Sequence, residues 1–297
     1  MHRKDFIKAS VLTFGALTLG RQKILAAFLN EPWKITMLTD NIGIFTEKGG
    51  TIAFHFSKEG ITVIDAQFPD SVIHLIDELK KRNDKPFHLL VNTHHHGDHT
   101  SGNIAFKDLV NRVIAHENSL ANQKRVATAN HTEDKQLFPN ETFANQFEEN
   151  LGDEKISMHY FGAGHTNGDA VIHFTNANIA HVGDLVFNGR HPVIDRSAGA
   201  NIKSWINVLD AITKKFDQKT IYVCGHAGAN YQVTGSQEIL LSFKEYLQNL
   251  IQVVSDAIKA GKSKEDILKI TVIPSFSQFQ VNGIERTLQA AFEELNT

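Results

Sequence analysis

Residues 94–99 read HHHGDH, and they follow the apolar run Phe87–Val91, which is typical of a buried strand. Side chains two residues apart in an extended chain point the same way, so His94 and His96 can bind one ion together. Imidazole and carboxylate ligands suit zinc, and manganese or iron can take the same groups. The stretch therefore predicts a metal centre at the end of a strand.

A second ion needs further ligands, and residues of the right type occur in the same stretch and later in the chain. Asp98 and His99 lie just beyond the first pair, in the predicted turn. Three more candidates lie beside glycines near the ends of predicted strands, where the backbone can approach closely; they are His165, Asp184 and His226. We expect the tertiary fold to bring these groups together.

The remainder of the chain predicts two halves that each combine strands with helices. Before residue 66, short β-prone runs separated by turns indicate an antiparallel meander. The spacing of apolar residues predicts helices at 69–82, 205–216, 237–260 and 284–295. The polar stretch 136–152 is interpreted as a long loop or insertion. This mixed order favours an α/β fold of two packed sheets with helices outside.

The composition is that of an ordinary globular protein, with 41% hydrophobic and 21% charged residues. Lys and Arg number 30 against 33 Asp and Glu, so no basic excess exists to neutralise phosphates, and we expect no nucleic-acid partner. No apolar run approaches the roughly 20 residues of a membrane-spanning helix. The lone Cys224 cannot form an internal disulfide.

The first 30 residues have the pattern of an export signal. A basic start precedes the apolar run Ala9–Leu19, which is too short to cross a bilayer. The pattern resembles a bacterial twin-arginine signal, with Lys4 where the second arginine is usual. We expect export to a periplasm without stable membrane insertion, and a folded domain at 31–297 with the helices of 236–297 packed on it. The alternative is a cytoplasmic protein with an N-terminal helix packed on its body.

The motifs and their order resemble the metallo-β-lactamase superfamily over about residues 33–230. Asp65, at the end of an early strand, corresponds to the first motif of that family. The resemblance implies a four-layer αβ/βα sandwich of two mixed β-sheets, with the metals between the sheet edges. In this arrangement Asp65 holds the loop that carries the ligands and does not touch metal.

The resemblance also implies two zinc ions per chain, with Asp184 bridging them. Manganese or iron remain open as alternatives. The ligands implied for the first ion are His94, His96 and His165, and those for the second are Asp98, His99 and His226.

The chemistry implied is hydrolysis of a small molecule. Zinc lowers the pKa of a coordinated water, and a hydroxide shared by two ions can attack an amide, lactone, ester or thioester carbonyl. Asp98 is expected to orient that hydroxide or to take up its proton. Substrate contacts are expected from Asn188, Arg190 and His191, and Arg190 is suited to hold a substrate carboxylate.

The bond that is cut stays open at this point. An Asp at position 184 resembles thioesterases, lactonases and phosphodiesterases of the superfamily, whereas zinc β-lactamases usually carry Cys or Ser there. The stretch 182–195, VGDLVFNGRHPVID, looks closest to exported β-lactamase-like hydrolases. The alternatives are a phosphodiesterase of the same fold and a mononuclear iron oxygenase that resembles persulfide dioxygenases.

Overall fold

The computed structural model describes residues 32–279 and 282–296. The predicted export segment lies outside these residues, so both the signal and the boundary at residue 30 stay predictions. Within the described ranges, no helix has the length and apolar character needed to cross a bilayer.

Two β-sheets form the centre of the fold, one from each half of the chain. The first has seven strands, in spatial order Lys34–Met37 (β1), Ile42–Thr46 (β2), Ile52–Phe56 (β3), Ile61–Ile64 (β4), Phe87–Asn92 (β5), Val113–His116 (β6) and Glu141–Phe143 (β7). The second has six, from edge to edge Thr234–Gly235 (β13), Ile221–Ala227 (β12), Ile179–Asn188 (β11), Ala170–Phe174 (β10), Lys155–Tyr160 (β9) and Gln146–Asn150 (β8).

Both sheets are mixed, as the sequence predicts. Strands β2, β3 and β4 pair antiparallel, and β4 to β7 pair parallel. In the second sheet the β11–β12 pair is parallel and the others are antiparallel. The predicted metal ligands lie on or beside these strands: those of residues 94–99 follow β5, His165 precedes β10, Asp184 lies within β11 and His226 lies near the end of β12.

Helices flank the sheets, except for the short helix Gly97–Thr100, which carries the predicted ligands Asp98 and His99. The helices are Pro69–Arg82 (α1), Gly97–Thr100 (α2), Glu117–Asn130 (α3), Ile202–Lys215 (α4), Glu238–Lys259 (α5), Lys264–Ile267 (α6) and Ile284–Leu295 (α7). One apolar cluster joins the two sheets and includes Val91 of the first sheet and Ile172 of the second. A second cluster buries α4, α5 and α7 against the outer face of the second sheet. The α/β fold class and the αβ/βα sandwich are confirmed.

The interpretation of residues 136–152 as a loop is wrong, because this stretch contains β7 and β8. The two short strands are polar, so their sequence lacks the apolar alternation that marks a strand. Arg112 forms bidentate ion pairs with a glutamate of each strand. Its Nε lies 2.7 Å from Glu141 Oε1 in β7, and its Nη1 lies 2.9 Å from Glu149 Oε1 in β8. Tertiary pairing therefore decides this region.

Burial of His159 makes the stability of the fold sensitive to acid. Burial, and to a smaller extent the nearby charges of Lys215 and His173, lower the pKa of His159 to about 4. The unfolded chain takes up this proton near pH 6.5 and the folded chain does not, so stability is complete above pH 6.5 and is lost toward pH 4. We expect His159→Phe to reduce the loss of unfolding free energy between pH 7 and pH 4.5 by about 2 kcal/mol. Urea unfolding at both pH values measures it, and an unchanged loss would contradict the prediction.

Candidate metal centre

The loop that carries the histidines is fixed at its start by Asp65. Strand β5 ends at Asn92, and the next residue, Thr93, donates its backbone N–H to Asp65 Oδ1 at 2.8 Å and its hydroxyl to Oδ2 at 2.7 Å. Oδ2 also lies 2.7 Å from His99 Nδ1. Asp65 is fully buried and holds a left-handed backbone at φ 66°. Its carboxylate thus ties the start of the loop to His99, whose Nε2 faces the other way.

The structure brings His94, His96, His165 and Asp184 into one group, with a ligand atom of each within 4.8 Å of the others. His96 Nδ1 and His165 Nε2 are 2.8 Å apart. Asp184 Oδ2 lies 3.5 Å from His165 Nε2 and 3.9 Å from His94 Nε2. These are the four residues that sequence analysis assigns to the first ion and to the bridge.

A second group adjoins the first and consists of Asp98, His99 and His226. Asp98 Oδ2 is 3.0 Å from His226 Nε2, which is 3.4 Å from His99 Nε2. Asp184 reaches this group too, with Oδ1 3.2 Å from His99 Nε2 and Oδ2 3.5 Å from His226 Nε2. Asp184 therefore lies between the two groups, the position expected of a bridging carboxylate.

Two glycines make room for Asp184. The strand that carries it extends to Asn188, beyond the end predicted at Val182, and its pairing with β12 shifts register around Gly183. Gly183 has φ +51°, which an L-residue adopts only with strain. On the neighbouring strand, a Cβ at Gly225 would lie 2.0 Å from Asp184 Oδ1.

The protonation states of His94 and His165 suit a divalent cation, whereas an ion at His99 would have to displace a proton. Burial lowers the pKa of His165 to about 3 and that of His94 well below its ordinary value, so both rings are neutral, the form that binds metal. Burial alone would lower the pKa of His99, but Asp184 and Asp65 raise it well above its ordinary value.

Burial alone would raise the pKa of Asp184, but His226 and His99 hold it well below its usual range. His94 Nε2 is buried without a hydrogen-bond partner among the described residues, although buried polar atoms normally have one. The donor set therefore fits a metal ion.

Comparison with known proteins agrees with this geometry. The model of the metallo-beta-lactamase superfamily matches residues 52–226, more than half of the chain, and this span contains all seven clustered residues. The chain belongs to the metallo-beta-lactamase superfamily.

Relatives within this superfamily are distant. The metallo-beta-lactamase type 2 of Elizabethkingia meningoseptica is 24% identical over 72% of this chain and 86% of its own length. The 2,4-dinitroanisole O-demethylase subunit alpha of a Nocardioides strain is 27% identical over 48% of this chain and 41% of its own length. The solved metallo-beta-lactamase of Pontibacter korlensis superposes with a TM-score of 0.62 at 22% identity, covering 73% of this chain and 99% of that one. The structural match supports the superfamily fold.

The three residues predicted to contact substrate lie in different surroundings. Arg190 lines a surface pocket of about 320 Å³ together with Ala227, the residue that follows the candidate ligand His226. Asn188 donates its side-chain amide to the Gln232 carbonyl at 2.8 Å. His191 is buried, and its Nδ1 lies 2.6 Å from the hydroxyl of Tyr246 (α5). Of the three, Arg190 keeps a position from which it can contact a ligand.

Asp195 is a residue of the site that no sequence pattern indicated. Its Oδ2 lies 2.9 Å from His96 Nε2 and 3.5 Å from His95 Nε2, on the side of His96 away from His165. Asp195 is 99 residues from His96 in sequence, and no local pattern links the two. Cys224 takes no part in the site, since it is buried and burial raises the pKa of its thiol to about 12.

Proposed function

We propose that this superfamily member is a hydrolase that cleaves a carbonyl bond of a small molecule at a centre of two zinc ions. Membership of the superfamily and the His/Asp groups together support a metallohydrolase. The observation that carries the two-ion proposal is the position of Asp184, whose two oxygens face histidines of both groups at 3.2 to 3.9 Å.

The residues divide between the two ions as the resemblance implies. His94, His96 and His165 would hold one ion, and Asp98, His99 and His226 the other, with Asp184 shared. When bound, two zinc ions supply a water of lowered pKa and polarise the substrate carbonyl. The complete second group favours this centre over the mononuclear iron alternative.

Asp98 is placed to handle the proton of an attacking water. Its side chain is 31% exposed, more than that of the other six clustered residues, so it borders the solvent. Burial alone would raise the pKa of Asp98, but the contact with His226 and the charge of His99 hold it below its ordinary value. At neutral pH Asp98 Oδ2 is therefore an acceptor that can orient the water or receive its proton.

The substrate class we propose is an amide, lactone, ester or thioester, and the chain itself does not choose among them. Arg190 would hold a carboxylate of such a substrate from the pocket that it lines together with Ala227. We also propose export to a periplasm, on the basis of the signal-like residues 1–30, and fractionation of expressing cells tests this part separately.

Zinc analysis and a substrate panel on the same sample test the function. We expect two zinc ions per chain and hydrolysis of at least one of nitrocefin, a lactone and a thioester. His94→Ala is expected to bind less zinc and to lose activity on the order of 10³-fold, because a bound metal contributes several kcal/mol to such reactions.

His131→Asn is the matched control. His131 is exposed and ends α3 with a left-handed backbone that Asn tolerates, so zinc content and activity should not change. Activity of His94→Ala equal to the wild type without bound metal would refute the proposal. A single iron per chain would favour the oxygenase alternative.

A further inference from the structure

The segment 189–201 links β11 to α4. It contacts two of the proposed ligands of the first ion at the ring nitrogens that face away from the ion site. The Val193 carbonyl lies 2.8 Å from His165 Nδ1, and Asp195 Oδ2 lies 2.9 Å from His96 Nε2. Each ring nitrogen that donates to these oxygens carries the proton, so the other nitrogen of the same ring is free to bind a cation. Those other nitrogens are His165 Nε2 and His96 Nδ1, which face each other at 2.8 Å.

Asp195 is itself oriented by its own segment. Its Oδ1 accepts hydrogen bonds from Ser197 Oγ at 2.5 Å and from the Ala198 backbone N–H at 3.1 Å. With Oδ1 occupied in this way, Oδ2 is left for His96. The orientation of His96 therefore depends on the conformation of the whole segment and not on Asp195 alone.

The C-terminal helix α7 forms hydrogen bonds within this segment and just after its end. Near its start, Thr287 Oγ1 donates to the buried Pro192 carbonyl at 2.9 Å. At its end, Glu294 accepts the backbone N–H groups of Ile202 and Lys203, the first residues of α4, at 2.7 and 3.0 Å. The Glu294 side chain is only 4% exposed and also lies 3.3 Å from Arg196 Nη1.

We propose that Glu294 and Thr287 are positioning residues for the first metal site. They hold segment 189–201 so that Asp195 and the Val193 carbonyl keep His96 and His165 in the orientation that binds the ion. This inference rests on the proposed function. Helix α7 begins at Ile284, after the residues matched by the superfamily model, so the positioning role belongs to the C-terminal part of this chain.

Zinc affinity measured by chelator competition tests the proposal. In Asp195→Asn the amide can donate to His96 Nε2, which places the ring proton on Nδ1, the nitrogen needed for the ion. Changing such a partner of a ligand costs about 10- to 100-fold in metal affinity. We expect that loss at one of the two sites in Asp195→Asn, and about a 10-fold loss at the same site in Glu294→Gln.

Nitrogen-15 NMR of the metal-free protein gives a second readout that a purely structural role would not move. We expect the His96 ring, assigned with His96→Gln, to carry its proton on Nε2 in the wild type and to shift toward the other tautomer in Asp195→Asn and Glu294→Gln. Glu293→Gln, which makes the same charge change at a more exposed position of α7, should alter neither affinity nor tautomer. If Glu294→Gln does not fold, Thr287→Val replaces it.

Each outcome decides a different proposal. Equal losses at both zinc sites, or a Glu294→Gln protein identical to Glu293→Gln in affinity and tautomer, would overturn the positioning role. A wild-type chain that binds no zinc pair would overturn the proposed function, while the tautomer of His96 would still test the positioning role by itself.

Discussion

Asp184→Asn is expected to lower zinc affinity at both sites and to reduce activity on the order of 10³-fold, while the fold is retained. The two carboxylate oxygens lie 3.2 Å from His99 Nε2 and 3.5 Å from His165 Nε2 and His226 Nε2, so one side chain serves both groups. Asn has the same shape, but it is neutral and one of its two oxygens becomes a donor. Both proposed ion sites would therefore lose the negative charge that they share.

The stability of the metal-free protein separates loss of the site from loss of the fold. In the metal-free protein the Asp184 carboxylate faces His99, whose pKa is raised, so Asp184→Asn removes a partner of a buried positive charge. We therefore expect a lower thermal midpoint than that of the wild type, with a cooperative unfolding transition that shows that the fold is retained. The control is Asp210→Asn, which makes the same change beside Lys244 at the surface and should leave zinc and activity unchanged. Two zinc ions bound to Asp184→Asn with wild-type affinity would contradict the bridging role.

Gly225→Ala is also expected to have a large effect, although glycine carries no ligand atom. The added Cβ would lie 2.0 Å from Asp184 Oδ1 and 3.0 Å from His99 Cε1. The backbone cannot easily move away, because the Gly225 carbonyl accepts both the N–H and the hydroxyl of Thr51 at 2.8 and 3.0 Å. The Asp184 carboxylate must therefore shift.

We expect this displacement to lower activity on the order of 10²-fold, since small misplacements of reacting groups have effects of this size. Overpacking should also lower the free energy of unfolding by about 1 to 3 kcal/mol. Zinc affinity, steady-state kinetics and urea unfolding measure the three effects. Gly261→Ala is the control: no described atom lies within 4 Å of its Cβ, so it should cost some stability through its φ of +73° but leave zinc and activity intact. Wild-type activity in Gly225→Ala would show that Asp184 tolerates the contact.

Several elements could be predicted to the residue from local chemistry. Helix α1 occupies the predicted residues 69–82, because Pro69 favours its first turn, basic residues complement its last turn and the apolar residues follow its period. The stretch 136–152 could not be predicted in this way. Its strands are mostly polar, with one apolar residue each, Phe143 and Phe147, and ion pairs to Arg112 and pairing with β6 and β9 hold them in the sheets.

The candidate site also has features that could be predicted from the sequence and features that could not. The ligand types and their places near strand ends could be predicted from the sequence. Metal-binding chemistry depends on residue type, and alternate side chains of an extended segment point the same way. The extension of β11 beyond Val182 could not be predicted, because the register shift at Gly183 depends on pairing with β12. His191 was expected near substrate, and its burial against Tyr246 depends on how α5 packs.

By itself, the sequence determined the metal-binding chemistry, the two-sheet architecture and the residues that could serve as ligands. The resemblance implied that Asp184 lies between the two groups, and the tertiary structure shows its oxygens facing both. Only the tertiary structure placed Asp195 and the Val193 carbonyl beside His96 and His165, and helix α7 beside the segment that carries them. The reason is physical. Residue type and short-range periodicity are local properties of the chain, whereas contacts between residues about one hundred positions apart, such as His96 and Asp195, exist only once the sheets and helices have packed.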